Sequence, residues 1–228
     1  SKVVWGRNTR VRSAINLADE IEIAIKEYNI REFMFYDDTF TINRNMVRLF
    51  HDEIVKRKMD IRFYAQVRVD TIDYELVKTL KRSGCFAVAI GVESGDDQIL
   101  KNIHKNLNKE QIRKAGKDLK RAKMPFLASY IIGHPGDTHE TIKATIDFAD
   151  EIDADQSKFL IATPYPGTEL YNLAVSKGVL KEEGAENLGD HTYFQHVAAN
   201  LSEVSDEELL KYQQLAFDNY DLRKSPLV

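Results

Sequence analysis

A chain of 228 residues with 43% apolar and 30% charged side chains has the composition of a folded globular protein, which excludes a disordered tail or a fibrous repeat. Its formal charge of −4, from 32 basic and 36 acidic residues, gives no broad basic surface, so no nucleic-acid partner is expected. No apolar run approaches the roughly 20 residues that cross a bilayer and no secretory leader opens the chain, so the expectation is a cytoplasmic protein without membrane contact.

In chain order, the periodicity predicts a first helix over about Ile15 to Tyr28, capped by Ser13, with Ala18, Ile21, Ile25 and Tyr28 on one face. A strand follows at Glu32 to Tyr36 and ends in Asp37-Asp38-Thr39-Phe40. A second helix after Asn43 places Val47, Phe50 and Ile54 inward. The strand Ile61 to Val69 alternates between an apolar set (Ile61, Phe63, Ala65, Val67, Val69) and a polar set (Arg62, Tyr64, Gln66, Arg68). A parallel strand covered by helices on both faces reads as almost all apolar, so the polar set faces either water or a polar chamber inside a barrel.

The alternation continues with a helix at Asp73 to Ser83 stopped by Gly84, and a strand from Cys85 to Val92 leading into Glu93-Ser94-Gly95. A longer helix starts near Asn108, has Gln111 in the capping-box position and turns Ile112, Ala115, Leu119 and Ala122 inward. Then come the strand Phe126 to Ile132, the loop Gly133-His134-Pro135-Gly136-Asp137-Thr138, and a helix burying Ile142, Ile146, Ala149 and Ile152. A last strand, about Ser157 to Ala162, runs into Thr163-Pro164-Tyr165-Pro166-Gly167-Thr168. Strands that alternate with helices are the pattern of βα units on a parallel sheet or barrel, and such folds bind ligands beyond the carboxyl ends of their strands.

Other features have structural readings. Cys85 is the sole cysteine, which rules out a disulfide framework or a cysteine-ligated metal site made by this chain alone, and an inert buried thiol is expected. The basic stretch Lys101 to Lys123 has the pattern of a solvated helix face. His51, His134, His191 and His196 have no metal-ligand spacing and are read as surface or structural residues.

The segments Tyr36-Asp37-Asp38-Thr39-Phe40, Gly91-Val92-Glu93-Ser94-Gly95, Ile132 to Thr138 and Thr163 to Thr168 occur in fixed order at successive strand ends. Together they resemble radical S-adenosylmethionine (radical SAM) enzymes, in particular the branch that often carries a cobalamin-binding domain before the barrel. The resemblance extends to about residue 180. The CxxxCxxC loop that defines the family is absent, and Gly6 to Ser13 is similar to a segment lying just after that loop in relatives. The expectation is therefore a fragment: a partial (β/α)6 TIM-like barrel of parallel strands over residues 1–180 with its first strand missing, and a C-terminal helical extension over 181–228 whose helix Ser205 to Tyr220 packs outside.

The resemblance implies S-adenosylmethionine as ligand and a 4Fe-4S cluster in the intact protein, with cobalamin a cofactor of part of the branch. It also implies reductive cleavage of SAM to a 5′-deoxyadenosyl radical that abstracts hydrogen from a small-molecule substrate, leading to methyl transfer or cyclisation, with ferredoxin or flavodoxin as electron donor. The implied cofactor contacts are Asp37 and Asp38 on the SAM amino group, Glu93 and Ser129 on the ribose, and Lys105 on the SAM carboxylate. Ile132 and Gly133 would pass the adenine, and Thr163, Tyr165 and Pro166 would hold its edge. Arg62, Tyr64, Gln66 and Arg68 would line the lumen and meet substrate; no metal ligand and no catalytic side chain is assigned. Two other readings stand beside this one: a divalent-metal barrel enzyme using Asp37, Asp38 and Glu93, and a barrel that only binds a nucleoside or a partner.

Overall fold

The computed structural model of the chain describes residues 10–180 and 197–220. His191, His196 and Gly6 to Thr9 lie outside the described residues. Five strands, β1 (Glu32–Phe35), β2 (Arg62–Val67), β3 (Cys85–Glu93), β4 (Phe126–Ile132) and β5 (Gln156–Ile161), form a parallel sheet in sequential order with helices between them. This is the α/β alternation read from the sequence. The described chain divides into two compact units, residues 10–91 with 111–127, and residues 92–110 with 128–180 and 197–220.

In the first unit, α1 (Ala14–Tyr28) starts where the Ser13 hydroxyl accepts from the Asn16 amide and ends at Asn29, whose φ of 55° turns the chain out of the helix. It buries Ala14, Ala18 and Ile21, but Tyr28 is 68% exposed: it sits on the last turn, beyond the packed ones. α2 (Arg44–Lys56) is capped by Asn43 and buries Val47, Phe50 and Ile54. Just past its end, Arg57 donates to Asp19 (2.6 Å) and Glu22 (3.0 Å) on α1 and to Glu53 (2.9 Å), joining the two helices. That arrangement holds the Arg57 guanidinium protonated well above its ordinary range and the Glu22 and Glu53 carboxyls below theirs.

The core of this unit is aromatic. Phe35 stacks on Phe40 at 4.7 Å and meets Phe63 edge-on at 5.0 Å, and Phe50 lies 6.0 Å from Phe63. β2 pairs Phe63 with Phe33 and Met34 with Tyr64, then slips by one residue against β3 so that Tyr64 faces Ala87. The strand ends at Val67 rather than Val69, because Val69–Thr71 winds into a single 3-10 turn closed by the Thr71 amide on the Arg68 carbonyl. α3 (Tyr74–Arg82), capped by Asp73, is followed by Gly84 at φ +100°, where a Cβ would lie 2.1 Å from the Ile61 carbonyl oxygen. Cys85 is buried, and burial pushes its thiol up to about 12. α5 (Lys109–Arg121) buries Ile112, Ala115 and Leu119, is followed by half-buried Ala122, and sets Lys114, Lys117 and Lys120 in solvent.

In the second unit, α4 (Asp97–Asn102) follows β3, α6 (His139–Ile152) follows β4 behind a Thr138/Thr141 capping box, and α7 (Glu169–Ser176) follows β5 behind Thr168. Tyr130 and Phe159 stack at 4.8 Å between β4 and β5. The C-terminal helix α8 (Asp206–Tyr220) belongs to this unit and packs on β5, its buried Gln213 donating to the Phe159 carbonyl at 3.1 Å.

Candidate functional site

The strand-end residues of the second unit carry its polar chemistry. Glu93, the last residue of β3, has φ +71°, a left-handed conformation that costs a non-glycine residue about 1 kcal/mol or more and concentrates at functional sites. Its carboxylate accepts from Lys105 Nζ at 2.6 Å, with only 19% of the Glu93 side chain and 15% of the Lys105 side chain exposed. On either side of Lys105, His104 (φ 55°) and Asn106 (φ 54°) are also left-handed, so this segment is wound to bring the lysine back over the strand end. The sequence reading put both residues at the site. What it missed is that they pair, a contact that α4 separates along the chain.

On β4, Ser129 is half-buried, whereas Ile132 is 1% exposed. The two-residue period puts Ile132 with Ala128 and Tyr130 on the face opposite Ser129, and its carbonyl already accepts from Ala162 at 2.8 Å. Gly133 follows at φ +84°. The loop is held from within by Asp137, whose buried carboxylate accepts from the His134 amide (2.9 Å) and the Thr141 hydroxyl (2.7 Å). Burial pushes the Asp137 carboxyl up, against those hydrogen bonds. His134, expected at the surface or in a structural role, is buried, with no hydrogen-bond partner for Nε2 among the described residues, and desolvation lowers its pKa to about 4. The imidazole is therefore neutral at neutral pH.

After β5, the Thr163 hydroxyl returns to the Ile161 carbonyl at 3.1 Å. The Tyr165 carbonyl accepts from both the amide (3.1 Å) and the hydroxyl (2.6 Å) of Thr168 at the start of α7. Tyr165 and Pro166 are exposed at the tip of this loop. Burial of the Tyr165 ring still raises its hydroxyl.

In the first unit, Asp37 and Asp38 are exposed in the loop after β1, and neither caps a helix, because Asn43 caps α2. Asp37 lies on a cleft of about 340 Å³ lined also by Arg10, Arg12, Glu20, Phe33 and Phe35. The polar set of β2 lies on its accessible face: Arg62 and Gln66 are exposed, Tyr64 and Arg68 half-buried. Arg62 lies over the Phe86 ring at 4.8 Å, and Arg68 holds Asp70 through two hydrogen bonds of 3.0 and 2.9 Å. Burial raises the Tyr64 hydroxyl, with the neighbouring Cys85 adding to it. Among the described residues no three His, Cys, Asp or Glu side chains form a metal-binding group, and no helix is long and apolar enough to cross a membrane.

Against known proteins, residues 3–149 match the family described as the radical SAM superfamily. An uncharacterized methyltransferase of Pyrococcus horikoshii is 34% identical over 228 residues, covering 100% of this chain and 49% of that protein. The anaerobic magnesium-protoporphyrin IX monomethyl ester cyclase of Rubrivivax gelatinosus is 28% identical over 167 residues, 72% of this chain and 30% of the cyclase. Among solved structures, TsrM from Kitasatospora setae, a radical S-adenosylmethionine methyltransferase with cobalamin and a [4Fe-4S] cluster bound, superposes with a TM-score of 0.65 at 18% identity, over 73% of this chain and 32% of TsrM. At that identity the likeness concerns the fold. The chain spans about half or less of the length of these curated relatives.

Proposed function

This chain belongs to the radical SAM superfamily, and on that premise we propose that it forms the S-adenosylmethionine-binding part of a catalytic barrel acting on a small molecule. The observation that carries the proposal is the Glu93–Lys105 pair at the end of β3, held at 2.6 Å on a strained backbone. A carboxylate with two acceptor oxygens suits vicinal hydroxyls such as those of a ribose, and an ammonium suits a carboxylate. In the second unit, Glu93 and Ser129 would bind the sugar and Lys105 the amino-acid carboxylate. The backbone of Gly133 would pass the adenine, and the backbone of Thr163, Tyr165 and Pro166 would hold its edge. Ile132 contributes through its backbone only, since its side chain is on the other face. In the first unit, Asp37 and Asp38 offer acceptors to an ammonium, while Arg62, Tyr64, Gln66 and Arg68 offer polar contacts to a substrate.

The donor chemistry of these residues fits S-adenosylmethionine. It does not fit an iron–sulfur cluster: the one cysteine, Cys85, is buried with its thiol pushed up to about 12, so this chain alone cannot ligate one. Bound beside a reduced cluster, S-adenosylmethionine supplies the hydrogen-abstracting chemistry of the superfamily, and the relatives' names point to methyl transfer or cyclisation as its outcome. Cobalamin and a ferredoxin- or flavodoxin-type donor enter the proposal through that likeness.

The test takes the longest natural protein containing this chain, reconstituted anaerobically with iron and sulfide. We expect saturable S-adenosylmethionine binding, 5′-deoxyadenosine formation under reductant, and a loss of affinity of about tenfold or more in Glu93→Gln, the scale of one charge-assisted contact. Binding without 5′-deoxyadenosine would leave a nucleoside-binding barrel, and no binding would end the proposal.

A further inference from the structure

The family match ends at residue 149, yet the loop Gly133–Asp137 is braced by residues far beyond it. A Cβ built on Gly133 would meet Leu209 Cδ1 at 3.2 Å and Cδ2 at 3.5 Å, and Ile161 Cγ2 at 3.9 Å. Leu209, with 0% exposure, therefore lies directly against the bare backbone of the glycine. Four residues along, the Asp137 carbonyl accepts the Glu203 amide at 2.8 Å.

The turn that presents that amide is itself tied. Asn200 donates to the Val204 carbonyl at 2.6 Å and to Asp206 at 2.8 Å, and its amide oxygen accepts from the Ser202 amide at 3.0 Å. Ser205 and Glu208 bond reciprocally at the start of α8, and Gln213 fixes the helix to β5. The loop is thus held at two points by one cross-braced element.

We infer that Leu209 is a positioning residue for the Gly133–Asp137 loop: it wedges the glycine from one side, so that the backbone offered to the ligand has a single conformation before binding. A loop fixed in advance spares its ordering entropy on binding. For its ligand the inference rests on the reading of Gly133 as a nucleoside contact, but the wedge itself does not.

The test uses the full protein and two readouts. In Leu209→Ala, the amides of Gly133, His134 and Asp137 should exchange with solvent about tenfold faster, while the Ala162 amide, bonded to Ile132 in the β4–β5 ladder, keeps its rate. Affinity for S-adenosylmethionine should fall about tenfold, and Leu209→Met should restore both, since it refills the space. If Leu209→Ala does not fold, Leu209→Val is read the same way with a smaller change. Unchanged loop exchange overturns the inference, and so does an equal rise at Ala162, which would mark general loosening. If the unsubstituted protein binds no S-adenosylmethionine, the functional proposal fails, and the exchange pattern still decides the wedge.

Discussion

The two compact units solve burial differently. The first packs four phenylalanines, Phe35, Phe40, Phe50 and Phe63, against one another and joins two helices through the half-buried Arg57 clamp. The second buries an imidazole, a carboxylate and most of an ion pair at its strand ends. Burying such groups costs free energy that apolar side chains of the same size would not. The difference teaches where each kind of burial lies: an aromatic cluster in the first unit, buried polar groups at the strand ends of the second.

Substitutions can break that division. The largest effect belongs to Phe50→Ala, which should cost about 3–5 kcal/mol by leaving a cavity in the aromatic cluster, measured by chemical denaturation. If S-adenosylmethionine affinity per folded molecule fell as well, the division would be wrong. Next is the pH dependence of the second unit. The His134 pKa is lowered to about 4 from an ordinary 6.5, so its neutral state favours the fold above pH 6.5, and stability is lost as pH falls from there towards 4. The slope from this group is about 1.4 kcal/mol per pH unit. Asp137, raised by burial, acts in the opposite sense, contributing stability that fades as pH rises through its folded pKa. Comparing denaturation of the parent with His134→Phe between pH 4 and 7 isolates the histidine, and the variant should show a flatter profile.

Glu93→Gln should cost about 1–2 kcal/mol by leaving Lys105 with a weaker acceptor, and should reduce ligand affinity far more than Phe50→Ala does. Equal effects from the two would erase the contrast between the units. The smallest change is expected from Arg57→Gln, a drop in melting midpoint that about 1 M salt reduces, because its partner Asp19 is 53% exposed.

Much of this was legible in the residues. Ser13, Asn43 and Asp73 each precede an apolar period of 3.6 and each caps its helix, because capping is a local bargain between a side chain and an amide three residues on. The alternation of β2 told which of its residues are buried, and the motifs after β1, β3, β4 and β5 pointed to the superfamily. Contacts distant in the chain were not legible. Lys105 on Glu93, Leu209 on Gly133 and the burial of His134 depend on how segments return to one another, and no local spacing encodes that. Tyr28 fits the helical period of α1 yet is exposed, since periodicity marks a face without marking where its cover stops.

The chain's one sulfhydryl has a practical use. Cys85 is buried at the start of β3, where burial pushes its thiol up to about 12, and only a thiolate reacts at a useful rate with maleimides or iodoacetamide. The parent chain is thus a silent background for site-directed labelling. A cysteine placed at exposed Tyr165 would be the single reactive position, and a fluorophore there could report ligand arrival without first deleting the native residue.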